Sequence, residues 1–390
     1  MDFPLISSVM LVVTHACNLR CRYCFVAKQP EHMSYKVAKD TADWLAKNAA
    51  VSGLPPSINF FGGEPMLMWD EIIVPLTTYI RQEYGNDFQL SMTTNGTLLS
   101  DERIDFIEEN RIGLLLSIDG GRETQNYNRP YLSGQGSFDA VSPWIPRLLQ
   151  IQPSLTFRMT SIPETCGNLF SDIMFAEHSG FKNFFVVPNV FETWDDQAKA
   201  TILDQFDMYA EYYINCFRYG VLPITYSEME DALRSINRIN DAAKNSQFRI
   251  SRSCHACGKC GLGAGRFASV HPNGNIYSCQ EMTSNEGPDS LFYIGNLYDG
   301  VDDERRQRLC DLFDAQAAQG PNCHQCLYNS ICDGGCVANN YMITGSVSKL
   351  PVGYCWWKQS VLERAIRIAQ TLGNERNALF GERWKQLCQS

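Results

Sequence analysis

The sequence predicts an α/β protein built around a parallel sheet, and two observations support that fold class. Over the first 220 residues, short apolar and β-branched runs alternate with segments of helical period, a pattern typical of repeated βα units. Six such runs can be counted, which predicts a partial (β/α)6 barrel of TIM type. The predicted strands are residues 9–13, 57–61, 88–93, 114–118, 155–159 and 184–188.

Helix signals fall between these predicted strands. Ser34 is a favourable N-cap residue, and the apolar face that follows it takes in residues 37, 41, 45 and 49. Ser100 gives a second helix the same kind of start. In sheets of this class, functional residues gather at the carboxyl ends of the strands. The residues that follow each run are therefore the candidates for a site.

The remaining chain divides by composition. Residues 204–220 predict an aromatic-rich helix that packs on the barrel. The polar segment after it, with Glu228 and Glu230 among arginines, predicts a helical connector with solvated faces. The predicted domains are a barrel at 1–220, a connector at 221–253, a cysteine-rich domain at 254–358 and a C-terminal helix at 359–390.

Composition argues against several classes of function. Thirty-three basic and 43 acidic residues give a net charge of -10, which disfavours nucleic acids and membrane surfaces as partners, since phosphates need a basic face. The sequence shows no signal peptide and no membrane span, so a cytoplasmic location is expected. Sixteen cysteines in a reducing compartment favour metal or catalytic use over disulfides.

Three cysteines stand directly after the first predicted strand, at Cys17, Cys21 and Cys24. Thiolates on such a loop can hold three corners of a cubane iron–sulfur cluster, which leaves one iron without a protein ligand. A zinc site is the alternative, but zinc knuckles use four ligands, mostly as CxxC pairs, and the next cysteine is Cys166. The spacing therefore favours iron.

The spacing Cys-x3-Cys-x2-Cys, with Tyr23 before the last cysteine, resembles the signature of radical S-adenosylmethionine (SAM) enzymes. In that family the fourth iron binds the amino and carboxylate groups of SAM. The resemblance implies a [4Fe–4S] cluster on Cys17, Cys21 and Cys24, and SAM as cofactor. It also implies that Tyr23 packs against the adenine.

Motifs after later strands resemble the family's SAM contacts. After the second strand, two glycines let the backbone approach a ligand and Glu64 can accept from an ammonium group. After the fourth, Ser117 and Arg129 offer a hydroxyl and a planar guanidinium to a carboxylate. Asp119 has two interpretations, a base or a turn residue that caps local backbone, and the turn residue is preferred. The segment 93–97 is placed near the ribose. The implied SAM contacts are Tyr23, Gly63, Glu64, Ser117, Arg129 and Val190.

A second group of cysteines begins with Cys254, Cys257 and Cys260. A Pro-Asn-Gly-Asn hairpin signal at 272–275 brings Cys279 back beside them. With the later cysteines, this order resembles the SPASM domain of peptide-modifying radical SAM enzymes. The resemblance implies a first auxiliary [4Fe–4S] cluster on Cys254, Cys260, Cys279 and Cys336. It implies a second on Cys323, Cys326, Cys332 and Cys355.

Two alternatives stay open for this cysteine-rich segment. CxxC pairs are also typical of zinc ribbons, so a zinc-binding module that is not an enzyme is the competing class. Cys257 has no place among the eight ligands, and either Cys254 or Cys257 is the true one. Iron content separates the two classes, because three [4Fe–4S] clusters need about twelve irons.

The resemblance implies an oxidoreductase that cleaves SAM to a 5′-deoxyadenosyl radical, which takes a hydrogen atom from a peptide residue. Anaerobic sulfatase maturases share the cysteine spacings and place a basic Asp directly after the third ligand of the first auxiliary cluster. Gln280 stands there, an amide that cannot accept a proton at neutral pH. We therefore expect a thioether or C–C crosslink in a ribosomally synthesised peptide (RiPP), with formylglycine formation or epimerisation as alternatives. No catalytic base is assigned.

Such chemistry needs partners. We expect a precursor peptide as substrate and an external electron donor such as flavodoxin or ferredoxin. Many crosslinking enzymes carry a leader-binding domain before the barrel, whereas eight residues precede the first predicted strand. The leader is therefore expected to bind the barrel and SPASM domains or a separate protein.

Overall fold

The structure is a computed structural model of the 390-residue chain. It describes residues 3–245, 263–282, 287–318 and 335–389, together with Cys326, Tyr328 and Cys332. These residues pack into two compact units. As far as they are described, the first unit takes in Met1–Ser117, Pro130–Gln152 and Arg252–Gln319, and the second takes in Ile118–Arg129, Pro153–Ser251 and Gly320–Ser390.

Eleven strands occur in the described residues. They are β1 (Ser8–Thr14), β2 (Ser57–Gly62), β3 (Gln89–Thr94), β4 (Ile112–Leu116), β5 (Thr156–Ser161), β6 (Asn183–Pro188), β7 (Thr225–Tyr226), β8 (Phe267–Val270), β9 (Asn275–Tyr277), β10 (Tyr293–Asn296) and β11 (Gly300–Val301).

Thirteen α-helices occur in the same residues. They are α1 (Tyr35–Ser52), α2 (Val74–Glu83), α3 (Asp101–Glu109), α4 (Arg122–Asn128), α5 (Phe138–Val141), α6 (Ile145–Ile151), α7 (Leu169–His178), α8 (Asp196–Arg218), α9 (Ser227–Asn245), α10 (Asp303–Ala318), α11 (Val337–Thr344), α12 (Val352–Asn374) and α13 (Ala378–Gln389). None of these described helices is long and apolar enough to cross a membrane.

All six strands predicted from the sequence are present, with ends displaced by two residues at most. They belong to two sheets. In the first unit the order is β11-β10-β9-β8-β1-β2-β3-β4, and β1 to β4 run parallel. In the second unit β5, β6 and β7 form a separate parallel sheet. The α/β fold class with a barrel-like parallel sheet is confirmed.

The sheet of the first unit contains a partner that the sequence did not predict. The hairpin of β8 and β9 forms as expected, around Asn273 and Gly274. In addition, β8 pairs in parallel with β1, from Ser8 opposite Phe267 to Leu11 opposite Val270. Val9 and Leu11 are buried there. The strand that leads to the first cysteines therefore lies between β2 and the segment that leads to Cys279.

The predicted helix starts are confirmed where a side chain caps them. Ser34 accepts from the backbone N–H of Val37 at the start of α1, and Ser100 caps α3 in the same way. The predicted helix at 204–220 begins earlier, because the Asp195 side chain caps α8 by accepting from Ala198 N. The C-terminal period belongs to α12, which starts at Val352 and is 23 residues long.

The solvated connector predicted after residue 220 is wrong in one respect. The segment is helical, as α9, but Glu228 and Glu230 are buried. Glu228 accepts from Lys358 Nζ over 2.5 Å, and Glu230 accepts from Arg383 Nη2 over 2.9 Å. Cations from α12 and α13 compensate both carboxylates, which removes the need for water. The domain boundaries themselves stay a prediction.

Candidate cofactor site

The first cysteine motif lies on the loop that follows β1. Backbone hydrogen bonds within the first unit fix this loop, since Arg20 N donates to Pro130 O over 2.7 Å and Leu19 forms a bridge with Tyr131. The Arg20 guanidinium also donates to the carbonyls of Cys17 and Leu19. Cys17 and Cys21 are half-buried and Cys24 is exposed. The fold therefore holds three thiols on one anchored loop.

Two glycines at the end of β2, Gly62 and Gly63, let this loop pack against that strand end. The backbone N–H of Gly63 donates to Thr14 O over 2.8 Å, and that of Glu64 donates to Ala16 O over 2.9 Å. A Cβ on Gly62 would lie 2.1 Å from Thr14 O, and a Cβ on Gly63 would lie 2.1 Å from Ala16 O. The glycines thus admit the backbone of the cysteine loop. Contact of Gly63 with SAM stays a prediction.

The side chain of Glu64 is buried beside the cysteine loop. Its Oε1 accepts from Met66 N and from the Thr94 hydroxyl, and its Oε2 accepts from Asn95 N over 2.8 Å. In the described part of the chain, no basic side chain lies within ion-pair distance of this carboxylate. Burial raises the pKa of Glu64, while the hydrogen bonds oppose that shift. No basic side chain of the described residues pairs with Glu64 when it is ionised, so a bound cation would stabilise its ionised form.

Asn95 connects Glu64 with the cysteine loop. Its side-chain nitrogen donates to Asn18 Oδ1 over 2.9 Å and lies 3.9 Å from Cys17 Sγ. Asn18 in turn donates to the Thr97 hydroxyl. This segment was predicted to lie near the ribose, and its link to Cys17 was not predicted. The polar Thr-Asn-Gly-Thr run at a strand end was the available signal.

The three cysteines of the loop fit an iron–sulfur cluster. Burial raises the pKa of the Cys17 thiol to about 11, so a thiolate there needs a positive partner such as iron. Among the described residues, no three His, Cys, Asp or Glu side chains converge as they would on a single metal ion. A cubane cluster does not need its cysteines to converge on one atom, because each cysteine binds a different iron. Three thiols spread over one anchored loop can therefore bind three irons of one cluster.

In the second unit, Asp119 and Arg129 form a buried ion pair, with 3.1 Å between Oδ1 and Nη2. Asp119 also accepts from the backbone N–H of Thr160 over 2.9 Å and from Asn128 Nδ2. The interpretation of Asp119 as a local turn cap is therefore wrong, because Thr160 belongs to β5, far along the chain. The pair fixes the position of the Arg129 guanidinium.

Asp172 supports α4, the helix that ends just before Arg129. Its role was not predicted from the sequence. This buried carboxylate on α7 accepts from Gly121 N over 2.8 Å and from the Thr124 hydroxyl over 2.7 Å. A Cβ on Gly120 would lie 2.3 Å from Asp172 Cγ. Burial raises the pKa of Asp172 to about 7. The carboxylate caps α4, the helix that ends at Arg129, from outside the helix.

The other predicted SAM contacts lie at strand ends. Ser117 is buried directly after β4, and its N–H donates to Thr94 O. Tyr23 is half-buried on the cysteine loop, and Val190 is half-buried two residues after β6. The first unit carries Tyr23, Gly63, Glu64 and Ser117, and the second carries Arg129 and Val190.

The second group of cysteines is described in part. Cys279 follows β9, Cys336 is the residue before α11, and Cys355 lies in the first turn of α12. These three thiols and those of Cys326 and Cys332 are half-buried. Gln280 is also described, with its Oε1 3.9 Å from Cys279 Sγ. Four predicted or candidate ligands lie outside the described residues, namely Cys254, Cys257, Cys260 and Cys323.

Comparison with known families identifies the first part of the chain. Residues 11–165 match the Radical SAM superfamily, and this stretch contains the three loop cysteines, Glu64 and Arg129. The chain carries a radical SAM domain. The resemblance stated from the cysteine spacing is thereby confirmed.

Proteins similar to this chain include peptide- and protein-modifying enzymes. A cysteine-type anaerobic sulfatase-maturating enzyme of Clostridium perfringens is 21% identical over 85% of this chain and 89% of its own. The solved structure of histidine-tagged anSMEcpe with bound AdoMet has a TM-score of 0.72 at 20% identity, covering 95% and 96% of the two chains. Streptococcus suis SuiB bound to precursor peptide SuiA has a TM-score of 0.62 at 17% identity, covering 90% and 76%.

Proposed function

We propose that this radical SAM protein modifies a ribosomally synthesised peptide by forming a thioether or C–C crosslink. A [4Fe–4S] cluster on Cys17, Cys21 and Cys24, once loaded with SAM and reduced, supplies a 5′-deoxyadenosyl radical that takes a hydrogen atom from a peptide residue. The two auxiliary clusters occupy the ligand sets implied by the SPASM resemblance. The residues of the chain bind SAM, orient it and exclude water.

The observation that carries this proposal is the buried carboxylate of Glu64. It accepts three hydrogen bonds from neutral donors, and its pKa is raised by burial. A positively charged amino group is the ligand that such a carboxylate binds most favourably. Since Glu64 N is bonded to the loop that bears Cys17, the ammonium of SAM would be held beside the cluster.

Arg129 and Ser117 are the proposed contacts of the SAM carboxylate. The Arg129 guanidinium is held by Asp119, so it loses little conformational entropy when a second carboxylate binds. Tyr23 and the backbone of Val190 are the proposed contacts of the adenine. These assignments give the ammonium and the carboxylate of SAM one oppositely charged partner each.

Crosslinking is favoured over formylglycine formation by the residue after Cys279. Gln280 is half-buried there, and an amide cannot accept a proton at neutral pH. Crosslinking a peptide carbon to a substrate thiol or carbon removes two hydrogen atoms from the peptide. One passes as a hydrogen atom to the 5′-deoxyadenosyl radical, and the other leaves as a proton to solvent and an electron, for which an auxiliary cluster would be the acceptor. The likeness to SuiB, solved with a precursor peptide, supports a peptide as substrate.

Three partners complete the proposal. They are a precursor peptide, an external donor of single electrons such as flavodoxin or ferredoxin, and a separate leader-binding protein if the barrel and SPASM domains do not bind the leader. The protein acts in the cytoplasm, where thiols stay reduced.

The first test measures radical formation. Anaerobically reconstituted protein, given dithionite and SAM, is expected to release 5′-deoxyadenosine, and the variant with Cys17, Cys21 and Cys24 replaced by alanine is expected to lose at least about 1,000-fold of that rate. The matched control is Cys166→Ala, since this buried cysteine bonds to Ala198 O and belongs to no predicted ligand set. Equal rates in the triple variant and the wild type would refute the proposal.

The second test identifies the product. The enzyme is co-expressed with short peptide genes from its own genomic neighbourhood, and the peptides are weighed and fragmented. Loss of two hydrogen atoms per event, with no fragment ions inside a ring, supports crosslinking. Conversion of a cysteine side chain to an aldehyde establishes a sulfatase maturase instead, and unchanged mass with altered chirality establishes an epimerase. Two zinc ions and little iron in the purified protein would indicate the zinc-binding module.

A further inference from the structure

Gln359 contacts two of the cysteines assigned to the second auxiliary cluster. Within the second unit, its Nε2 lies 3.7 Å from Cys355 Sγ and 3.9 Å from Cys326 Sγ. Gln359 follows Cys355 by four residues on α12, so both side chains lie on one face of the helix. An amide nitrogen is only a donor, and both contacts are therefore N–H···S hydrogen bonds.

The same face of α12 makes a further contact with this segment. Glu363, one turn after Gln359, accepts from the Tyr328 hydroxyl over 3.4 Å, and Cys332 N donates to Tyr328 O over 2.9 Å. Two consecutive turns of the helix thus contact Cys326 and Tyr328. Gln359 is thus carried by the same helix as Cys355, and its amide contacts both sulfurs.

We infer that Gln359 raises the reduction potential of the second auxiliary cluster. This inference rests on the proposed function, which places that cluster on Cys323, Cys326, Cys332 and Cys355. Reduction adds one electron from the reductant to a cluster that already bears net negative charge, and no proton moves. Two N–H dipoles aimed at the ligand sulfurs stabilise the added charge, and hydrogen bonds to sulfur are among the determinants of cluster potential.

The test is an EPR-monitored redox titration of the full-length reconstituted protein, with iron counted in every sample. Gln359→Leu removes both donors and keeps the volume. We expect the ratio of reduced to oxidised second auxiliary cluster, at a fixed potential, to fall by about three- to tenfold, where tenfold corresponds to 59 mV for one electron. Gln359→Asn keeps an amide that is one methylene too short to reach both sulfurs, so its shift is expected to be intermediate.

The matched control is Gln370→Leu, which makes the same chemical change at an exposed position of the same helix. We expect no shift there, and the signal of the first auxiliary cluster serves as an internal reference. Loss of about four irons in Gln359→Leu would mean that one cluster is missing. The potential is then measured in Gln359→Asn instead.

Three outcomes overturn the inference. An unchanged potential in both Gln359 variants with full iron content refutes tuning and leaves the proposed function intact. Loss of iron in both variants identifies Gln359 as a residue needed for assembly, which also refutes tuning. A wild-type protein with about eight irons, whose iron count does not fall further in Cys355→Ala, lacks the second auxiliary cluster, and then the proposed metal content and the inference fail together.

Discussion

Glu64 in the first unit and Asp119 in the second are both buried carboxylates at the edge of a parallel sheet, yet their partners differ. Glu64 accepts from two backbone N–H groups and a hydroxyl, all of them neutral. Asp119 is paired with the Arg129 guanidinium. The first carboxylate is thus left able to bind a cation, whereas the second already has one and serves to position it.

The same contrast extends to the surroundings of each carboxylate. Around Glu64, the cysteine loop is held by backbone hydrogen bonds that depend on the close approach of Gly62 and Gly63. Around Asp119, the helix that ends at Arg129 is held by the buried side chain of Asp172. The first unit should therefore be sensitive to added volume, and the second should be sensitive to charge and pH.

The largest expected effect is that of adding a methyl group in the first unit. Gly63→Ala places a Cβ 2.1 Å from Ala16 O, so the cysteine loop must move. Since displacement of about 1 Å can cost 100-fold in rate, we expect release of 5′-deoxyadenosine to fall by at least about 100-fold, with loss of the first cluster.

The control for this variant is Gly353→Ala, on α12 two residues before Cys355. A Cβ there meets no atom within 4 Å. Activity and iron content should be unchanged, and the helix should gain up to about 1 kcal/mol, because alanine is the better helix former. Full activity of Gly63→Ala would show that the close contact between Gly63 and Ala16 O does not fix the position of the cysteine loop.

The next effects are expected from neutralising each carboxylate, on stability for Asp119 and on SAM affinity for Glu64. Asp119→Asn leaves a buried guanidinium without its counter-ion, and breaking a buried pair costs roughly 3–5 kcal/mol. Glu64→Gln breaks no ion pair and should cost only about 1 kcal/mol, for one mismatched hydrogen bond. Its main effect should be on SAM affinity, which we expect to fall about 10- to 100-fold with the loss of one charged contact.

Thermal unfolding and equilibrium dialysis with SAM measure the two effects separately. The comparison predicts that Asp119→Asn lowers the melting temperature more than Glu64→Gln does. The reverse order would mean that Glu64 is the structural carboxylate, and an unchanged affinity for SAM in Glu64→Gln would mean that Glu64 does not bind its ammonium group.

The smallest effect concerns pH. Asp172 has a pKa raised to about 7 in the folded protein from an ordinary value of 3.8. The folded state therefore binds a proton more tightly than the unfolded state, and the contribution of Asp172 to stability is lost as pH rises through the folded pKa. Asp172→Asn retains an acceptor for Gly121 N and does not titrate. Melting temperatures between pH 5 and about 8 should fall less in this variant than in the wild type. Parallel pH profiles would contradict the assignment.

Local features of the sequence predicted much of this molecule. The cysteine spacing identified the loop of Cys17, and short apolar, β-branched runs located all six strands. Side-chain caps marked the start of α1 and α3. Each of these signals lies within a few residues, where hydrogen bonding and periodicity act directly.

Features that depend on distant partners were not predictable in this way. The burial of Glu228 follows from Lys358, which stands 130 residues later. The role of Asp172 follows from Gly121, and that of Asp119 follows from Thr160. Each of these residues is a carboxylate, which is also common on a solvated surface. Whether it is instead buried with a partner depends on tertiary packing.

The parallel pairing of β8 with β1 has a consequence for the order of folding. During synthesis, β1 emerges first, but its second neighbour is complete only when Val270 has left the ribosome. Until then the apolar strand that leads to Cys17 is an open sheet edge, which is a template for wrong pairing. Such long-range closure is slow, so the nascent chain spends an extended time with this edge uncovered. Expression at low temperature, or with chaperones that cover strand edges, should raise the yield of folded protein. A fragment that ends before β8 should aggregate.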